Sequence, residues 1–393
     1  MLEARPADDV RPRWRRAAPL LVGSFVAGRL LVLVAALAAE AGRPLDVATT
    51  FTGDGARVLW TSAPLLRSLA SWDGVYYLGI ATSGYHAGPV NGAFPDTVFF
   101  PLLPALIRAG ASLTGLDPAL VGVLLSNLAI AVALPLLYLL GVRVLGDEPR
   151  ALRAAGLMGI VAGGTAFSMA YSDALFLVLA LVAFLAAERG GAVPAGIAGV
   201  AYAVATLARL PGIAIGLPLA MIMLTRNPFR LRDLAWLLLG PLALAGFFGY
   251  VWNLTGDPLA VLHGQASWDA PRDAGGYPGG PIEILGWNVD IVAGPVLAGT
   301  LLGALLLVSI VALAFARRAH VPWPYVVFGL LWLGSIVLSL RLVSSDRYLA
   351  VAWPILWVLA TPRSRLVRVG WPIASAAVLF VLSYASFLPA LPP

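Results

Sequence analysis

The chain has 393 residues, of which 60% are hydrophobic and 12% are charged, with a net charge of +6. This composition excludes a water-soluble globular protein, which could not bury so large an apolar fraction, and indicates a polytopic membrane protein. The lack of cysteine excludes disulfides, the three scattered histidines lack the spacing of a zinc site, and no basic stripe with interleaved aromatic residues indicates a nucleic-acid partner.

The first predicted element is an apolar run at residues 17–39, which follows a charged N-terminal segment. The run is too long for a signal-peptide core, and no small-residue cleavage site follows it, so we predict a retained first membrane span. Ten later stretches have the length and composition of spans: 119–142, 153–169, 171–187, 192–208, 210–224, 233–253, 292–316, 322–340, 347–361 and 367–388. A shorter apolar stretch at 98–113 contains two prolines and Arg108.

The placement of the arginines decides whether residues 98–113 cross the membrane, because cytoplasmic loops carry an excess of positive charge. If this stretch does not cross, the main arginine clusters share one side, at 11–16, 143–153, 226–232, 317–318 and 363–368. If it crossed, every later cluster would leave the side of the N-terminal one. We therefore predict an all-α protein of about eleven spans, with a cytoplasmic N-terminus and with 98–113 lying along the interface.

This topology makes residues 1–393 a single membrane domain with a cytoplasmic tail at 1–16. Two long loops follow on the extracytoplasmic face, at 40–118 and 254–291, whereas the other connections are short. Long polar loops on one face indicate that this face carries the function.

The first long loop contains the segment SWDGVYYLGIATSGY at 71–85. Its apolar and aromatic residues from 74 to 82 fit a short helix, and tryptophan and tyrosine favour the level of the lipid headgroups. We therefore predict an interfacial helix with Asp73 at its N-cap. Two interpretations of Asp73 stay open, a structural cap for the first turn and a functional carboxylate.

The segments WDGVYYLGIATSGY and FFPLLPALIR resemble the PIG-V family of integral-membrane mannosyltransferases, within the GT-C superfamily. The likeness continues in order through SNLAIAVALPLLYLLG, MAYSDALFLVLALVAFLAAERG, LARLPG, TGDPLAVLHGQASW and SSDRYLAVAWP. The resemblance implies a GT-C-like bundle whose first extracytoplasmic loop, with its interfacial helices, caps a catalytic cavity. The family often has tyrosine where this chain has Leu103, and glutamate where it has Asp173.

The resemblance also implies an activity. A sugar, usually mannose, would pass with inversion from a polyprenyl- or dolichyl-phosphate carrier to a hydroxyl of a glycolipid or glycan acceptor. The aspartate of the WD motif, which is Asp73 here, would act as the base.

Such a transfer develops positive charge on the sugar and negative charge on the departing phosphate. It needs a base for the acceptor proton and cations for the phosphate. Arg209 and Arg347 lie at the predicted extracytoplasmic ends of spans, and guanidinium groups match phosphate oxygens in two-point geometry, so we predict that both bind the donor phosphate. The structural alternatives are an end-cap for Arg209 and an ion pair with Asp346 for Arg347.

Asp173 and Asp54 are second-choice catalytic or acceptor-binding carboxylates, with a helix N-cap and an ordinary turn as their structural alternatives. Aromatic faces, amides and imidazoles suit sugar hydroxyls, so the candidates for the sugar and acceptor pocket are Trp72, Tyr76, Tyr85, His86, Gln265, Trp268 and Tyr348. Arg29 lies near the middle of the first span, where an isolated charge is costly. We expect Arg29 to face the bundle or to snorkel, in either a functional or a structural role.

The preferred interpretation is a polyprenyl-phosphate-sugar-dependent glycosyltransferase in the plasma membrane of a bacterium, with membrane lipids around it. We expect no nucleic acid, no divalent metal and no cofactor besides the lipid-linked sugar. A transporter or flippase of lipid-linked sugars is a second interpretation, although such proteins usually contain matching repeats and the sequence shows none. A non-catalytic assembly subunit is a third. The sugar and the acceptor are not readable from the sequence.

Overall fold

The computed structural model describes residues 11–41, 63–90, 94–225, 230–269, 293–338, 344–362 and 364–387. At positions 64, 94, 267–269, 293–299 and 337–338 it describes the backbone alone. The described chain is mostly helical, as its composition predicts. Its extended structure consists of β1 (Pro89–Val90) and β2 (Phe94–Pro95), which pair antiparallel.

The helices divide evenly along the chain. The first half contains α1 (Trp14–Ala41), α2 (Pro64–Leu69), α3 (Asp73–Ser83), α4 (Leu102–Thr114), α5 (Pro118–Leu145), α6 (Glu148–Gly159), α7 (Asp173–Arg189) and α8 (Ala192–Ala208). The second half contains α9 (Gly216–Leu224), α10 (Leu231–Ala235), α11 (Leu239–Thr255), α12 (Ala260–Asp269), α13 (Ala293–Phe315), α14 (Trp323–Leu338), α15 (Ser345–Val351), α16 (Pro354–Leu359) and α17 (Arg365–Phe387). Short 3₁₀ helices occupy Asp96–Val98, Gly164–Phe167, Leu210–Ile215 and Trp236–Leu238.

Four of the described helical stretches are long and apolar enough to cross a membrane, namely α1, α5, the stretch Leu231–Thr255 and α17. Several shorter helices are also apolar, at Leu102–Thr114, Ala192–Ala208, Leu210–Leu224, Thr300–Phe315 and Trp323–Ile336. The chain therefore has the helices of a membrane protein. The count of eleven spans and their orientation stay predictions.

The predicted spans 153–169 and 347–361 are interrupted by non-helical residues. Residues 153–169 divide between α6, which ends at Gly159, and the 3₁₀ helix Gly164–Phe167. In the break, Gly163 packs so closely that a Cβ there would collide with the backbone oxygen of Asp346. Residues 347–361 divide between α15 and α16, because Pro354 lacks the N–H that a continuous helix would need. After an arginine at the first position, both stretches are mostly apolar, so hydropathy does not reveal either break.

Capping residues explain where α5 and α6 begin and end. The Asp117 carboxylate accepts the N–H of Ala119 at 2.7 Å, and the N-terminal Pro118 of α5 needs no hydrogen-bond partner for its nitrogen. The helix ends at Gly146, whose φ of 63° is the left-handed conformation that glycine adopts readily. Asp147 then caps α6 by accepting the N–H of Arg150 at 3.0 Å.

The centre of the bundle is formed by α7, which packs against α5 on one side and against α8 on another. Phe176, Leu177 and Phe184 of α7 are fully buried there. On one side α1 packs against α6 and α17, and a Cβ on Gly28 of α1 would collide with the backbone oxygen of Gly159. Small residues thus let the backbones of membrane helices approach each other, as is usual where lipid gives no hydrophobic driving force between helices.

Three arginines of the predicted cytoplasmic clusters meet at one end of the bundle, where they bind the carbonyl groups at helix C-termini. Arg143 donates to the Glu188 oxygen of α7 at 2.8 Å. Arg150 and Arg153 donate to the oxygens of Trp357 and Ala360, at 2.8 and 2.9 Å. Cations at these positions satisfy carbonyls that lack partners within their own helices.

The predicted helix at 74–82 is confirmed as α3, and three contacts hold the segment before it and the helix itself in place. The N–H of Ala170 donates to the Leu69 oxygen at 2.9 Å, and the Trp72 indole N–H donates to the Ser386 oxygen at 2.7 Å. At the far end Arg108 of α4 donates to the oxygens of Ala81 and Ile80, at 2.6 and 3.2 Å. The start of α3 is thereby fixed beside the start of α7.

Candidate active site

Asp73 is the first residue of α3, and its carboxylate contacts Arg347 of α15. Arg347 Nη1 lies 2.5 Å from Asp73 Oδ2, with side-chain exposures of 11% and 22% respectively. The preceding residue, Trp72, is the N-cap residue, with φ of 57°, and it makes no side-chain cap. The prediction that Asp73 is the N-cap is therefore wrong, because the carboxylate binds a guanidinium of a distant segment instead of the amides of its own first turn.

Asp173 and Arg209 form a second and more deeply buried ion pair. Asp173 begins α7 and Arg209 directly follows α8, and their side chains are 1% and 7% exposed. Arg209 Nη1 donates to Asp173 Oδ1. Two charges this far from water are tolerated because each neutralises the other. The N-cap alternative for Asp173 is therefore wrong, and the side chain of Arg209 does more than cap a helix end.

Tyr348 lies beside both guanidinium groups. The Cζ atom of Arg209 is 4.4 Å from the centroid of its ring, and the Cζ atom of Arg347 is 5.5 Å from it. A cation near an aromatic face is attracted by the ring electrons. The ring thus joins the two ion pairs, and we call Asp73, Arg347, Asp173, Arg209 and Tyr348 the two-pair cluster.

The alternative that Arg347 pairs with its neighbour Asp346 is wrong, since among the described carboxylates the one that forms an ion pair with the Arg347 guanidinium is that of Asp73. All five members of the two-pair cluster were candidates from the sequence. They come from four segments: the start of α3, the start of α7, the end of α8 and the start of α15. The pairing between these segments is information that only the fold supplies.

Two buried tyrosines that the sequence did not single out border the two-pair cluster. The hydroxyl of Tyr171 accepts the N–H of Asp73 at 3.1 Å, and the Cζ atom of Arg347 is 5.2 Å from its ring centroid. The hydroxyl of Tyr77 is 2.9 Å from that of Ser172. Burial, together with the charge of Asp73, raises the pKa of Tyr77 above its usual value, so its hydroxyl stays neutral. The only signal in the sequence was that these tyrosines lie close to Asp73 and Asp173.

Tyr76 and Tyr85 pack around Phe99. The Tyr76 ring stacks on Phe99 with 4.5 Å between centroids, and the Tyr85 hydroxyl donates to the Phe99 oxygen at 2.6 Å. Burial raises the pKa of Tyr76, and the negative charges of Asp73 and Asp96 add to this effect. Both tyrosines thus pack within the first long loop, and the hydroxyl of Tyr85 binds its backbone.

Several other candidates from the sequence make their contacts elsewhere. His86 Nδ1 lies 2.8 Å from Oδ2 of Asp96, and burial raises the pKa of that carboxyl while the hydrogen bonds from His86 oppose the rise. The indole of Trp72 is bound to the backbone of α17, and Gln265 is exposed on α12. Asp54 and the side chain of Trp268 lie outside the described residues.

Arg29 faces the interior of the protein, which is one of the two orientations predicted for it. Its three guanidinium nitrogens are buried, and within the described ranges none of them has a hydrogen-bond partner. Its Cζ atom is 5.9 Å from the ring centroid of Phe25, one turn earlier in α1.

The described residues contain no group of three or more histidine, aspartate or glutamate side chains that could hold a metal ion. The site itself is built from carboxylates, guanidinium groups and phenols. Together these provide a proton acceptor, two fixed positive charges and neutral hydrogen-bond donors in one place.

Comparison with known proteins identifies a family whose sequence model matches the chain and solved structures whose fold is similar. Residues 26–229, just over half of the chain, match the sequence model of a family described as Mannosyltransferase (PIG-V). A search of the curated proteins finds no match.

Two solved structures of an oligosaccharyltransferase from Archaeoglobus fulgidus have a similar fold. The archaeal oligosaccharyltransferase AglB in complex with an inhibitory peptide and a dolichol-phosphate is 14% identical, with a TM-score of 0.50 over 97% of this chain and 57% of that one. The apo form gives 14% identity and a TM-score of 0.50 over 96% and 56% of the two chains. The chain thus spans somewhat more than half the length of these structures, and at this identity the likeness concerns the fold.

Proposed function

The chain belongs to the mannosyltransferase (PIG-V) family of membrane glycosyltransferases, and on this premise we propose that it transfers mannose from a polyprenyl-phosphate carrier to a hydroxyl acceptor. The acceptor is a glycolipid or glycan, the transfer inverts the anomeric carbon, and the reaction takes place on the extracytoplasmic face of a bacterial plasma membrane. The dolichol-phosphate bound to the archaeal structural relative supports a lipid phosphate as a ligand of this fold.

One observation carries the proposal, namely the direct contact between Asp73 and Arg347. Transfer from a lipid phosphate needs a base at the acceptor hydroxyl and a cation at the departing phosphate, within the length of one sugar of each other. The contact brings one group of each kind together. The partly exposed Asp73 suits the role of base better than Asp173, which is almost completely covered.

The reaction needs no covalent intermediate on the protein. The acceptor oxygen attacks the anomeric carbon while the bond from that carbon to the phosphate oxygen breaks. The electron pair of this bond leaves with the polyprenyl phosphate, whose charge grows from one negative to two. Asp73 takes the proton of the acceptor hydroxyl, and Arg347 and Arg209 stabilise the growing charge on the phosphate.

Before the donor binds, Arg347 is held by Asp73, and a carboxylate oxygen that binds a guanidinium is not free to accept a proton. The donor phosphate competes with Asp73 for the same guanidinium. When Arg347 turns to the phosphate, Asp73 Oδ2 becomes available to the acceptor. The base is thereby freed only when the donor is bound.

The second ion pair keeps its arrangement throughout the reaction. Asp173 is the buried partner that orients Arg209, and Arg209 presents its remaining N–H groups to the phosphate. The Tyr348 ring lies beside both guanidinium groups, and its attraction to cations offsets part of their mutual repulsion. The same ring is an aromatic surface of the kind that suits a sugar.

The full-length protein in lipid vesicles tests the proposal. It is incubated with polyprenyl-phosphate-mannose and a panel of membrane glycolipids, and the products are identified by mass spectrometry. We expect a mannosylated lipid and free polyprenyl phosphate. The glucose and arabinose forms of the donor test the choice of sugar. Movement of intact donor across the vesicle membrane without a new glycosidic bond would contradict the proposal and indicate a flippase.

A further inference from the structure

Tyr171 is a buried residue whose backbone and hydroxyl are both bound. Tyr171 is only 1% exposed, and Ser126 fixes its backbone: the Ser126 hydroxyl donates to the Tyr171 oxygen at 2.9 Å and accepts its N–H at 3.3 Å. The hydroxyl oxygen accepts the N–H of Asp73 at 3.1 Å. The phenol is therefore held in one position, next to Asp73 at the start of α3.

The hydroxyl of Tyr171 also has a hydrogen that it can donate. A phenol can donate one hydrogen bond in addition to those it accepts. In the part of the chain that the structure describes, the contact of the hydroxyl is the N–H of Asp73, and no oxygen accepts the phenolic hydrogen. A buried donor without an acceptor costs free energy, so this hydrogen is free for an acceptor that arrives with a ligand.

The surroundings indicate the chemistry of that ligand. The guanidinium of Arg347 lies over the Tyr171 ring, 5.2 Å from Cζ to centroid, and the same guanidinium binds the carboxylate of Asp73. A ligand atom that replaces Asp73 on Arg347 must be an oxygen anion, and it arrives beside the phenol. Arginine and a neutral phenol together bind phosphate oxygens well.

We propose that Tyr171 is a catalytic residue that donates a hydrogen bond to the leaving phosphate of the lipid-linked sugar. The proposal rests on the proposed function. As the bond between the anomeric carbon and the phosphate oxygen breaks, the electron pair stays with the phosphate, and the phenolic hydrogen remains on Tyr171. The hydrogen bond strengthens as the phosphate gains its second negative charge, so it stabilises the transition state more than the bound donor.

Tyr202 offers a matched control for the loss of one buried phenolic oxygen. It is 3% exposed, and its hydroxyl donates to the Ile213 oxygen at 2.9 Å. Among the described residues, its hydroxyl has no hydrogen bond to a member of the two-pair cluster. Tyr171→Phe and Tyr202→Phe therefore remove the same atom, the phenolic oxygen. In Tyr171 the hydroxyl hydrogen is free, whereas in Tyr202 it is already bound to a carbonyl oxygen.

The test compares both variants with the wild-type protein in vesicles, using polyprenyl-phosphate-mannose as donor. We expect Tyr171→Phe to lower kcat by about 10- to 100-fold with a smaller change in KM, since the lost interaction is strongest in the transition state. Tyr202→Phe should retain the wild-type kcat, and thermal unfolding shows whether both variants fold. An unchanged kcat in Tyr171→Phe, beside an active wild type, overturns the proposal and leaves the proposed function standing. An inactive wild type overturns the proposed function itself.

A second variant keeps the hydroxyl, in case Tyr171→Phe does not fold. Incorporation of 3,5-difluorotyrosine at position 171 lowers the pKa of the phenol without removing any contact. A phenol that must donate its hydrogen fails once it ionises, so we expect the alkaline limb of the pH–kcat profile to move to lower pH. The same replacement at position 202 should leave the profile in place. An unmoved alkaline limb at position 171 overturns the proposal.

Discussion

Arg347 Nη1 and Asp73 Oδ2 lie 2.5 Å apart, although 274 positions separate the two residues in the sequence. The contact joins the short helix of the first long loop to a helix near the C-terminal end of the chain. In the proposed function the two groups contact different substrates. Asp73 contacts the acceptor hydroxyl, and Arg347 contacts the donor phosphate. Each group is therefore occupied by the other until the donor arrives.

Competition between Asp73 and the donor phosphate predicts a gain of affinity. Asp73→Asn removes the charge that holds Arg347, so polyprenyl phosphate should bind about 5-fold more tightly or better, within the usual range of coupling energies. Titration followed by tryptophan fluorescence measures this affinity. Asp257→Asn is the control, because Asp257 is an exposed carboxylate that pairs with His263. Weaker binding to Asp73→Asn would show that the two anions do not compete.

The buried pair of Asp173 and Arg209 predicts a large and non-additive effect on stability. Asp173→Asn and Arg209→Gln each leave one buried charge without its partner, which should lower the free energy of unfolding by about 3–5 kcal/mol. The double variant leaves neither charge and should cost clearly less than the sum of the two. Denaturant unfolding in detergent measures all three. Additive losses would mean that the two side chains do not depend on each other.

The sequence identifies the members of the two-pair cluster because their chemistry is unusual in an apolar chain. It does not show which members pair with each other. Asp346 is adjacent to Arg347 in the sequence and Asp73 is remote, yet in the folded chain Arg347 forms its ion pair with Asp73. Residue type also misleads: Trp72 and Tyr85 suit a sugar, but one binds the backbone of α17 and the other binds Phe99. Tyr171 was missed because nothing in the sequence shows to which group a buried phenol is bound.

The helices were predictable where a polar or glycine residue marks their ends, as for α3, α4 and α5. The break inside the predicted span 153–169, directly after α6, and the break between α15 and α16 were not. Both lie in apolar sequence, and the first depends on how closely the Gly163 backbone approaches that of Asp346. Close approach of two backbones is a property of the packed bundle, which hydropathy does not measure.

The contact between α1 and α6 predicts that one glycine of α1 is essential to packing and another is not. A methyl group at Gly28 would collide with the backbone of Gly159, so Gly28→Ala should lower the unfolding temperature measurably. Gly23, in the same helix, has no atom within 4 Å of such a methyl group. Gly23→Ala should therefore leave the unfolding temperature unchanged or raise it. Equal unfolding temperatures for the two variants would contradict this packing.

The predicted topology can be read with single cysteines, because the chain has none of its own. Ala266→Cys lies in the second long loop and Arg318→Cys in a predicted cytoplasmic cluster, and both positions are exposed. A maleimide that cannot cross the membrane, added to intact cells, should label position 266 and not position 318. Labelling at position 318 alone would reverse the orientation and place the two-pair cluster on the cytoplasmic face.

Mannose transfer by Asp73→Asn, measured in vesicles with polyprenyl-phosphate-mannose, tests the central claim most directly. A positioned general base contributes about 10²- to 10⁴-fold to a rate, so the variant should lose at least a factor in this range while Asp257→Asn keeps the wild-type rate. The loss should accompany the tighter binding of polyprenyl phosphate described above, which separates a missing base from a misfolded site. Transfer at the wild-type rate by Asp73→Asn would contradict the account.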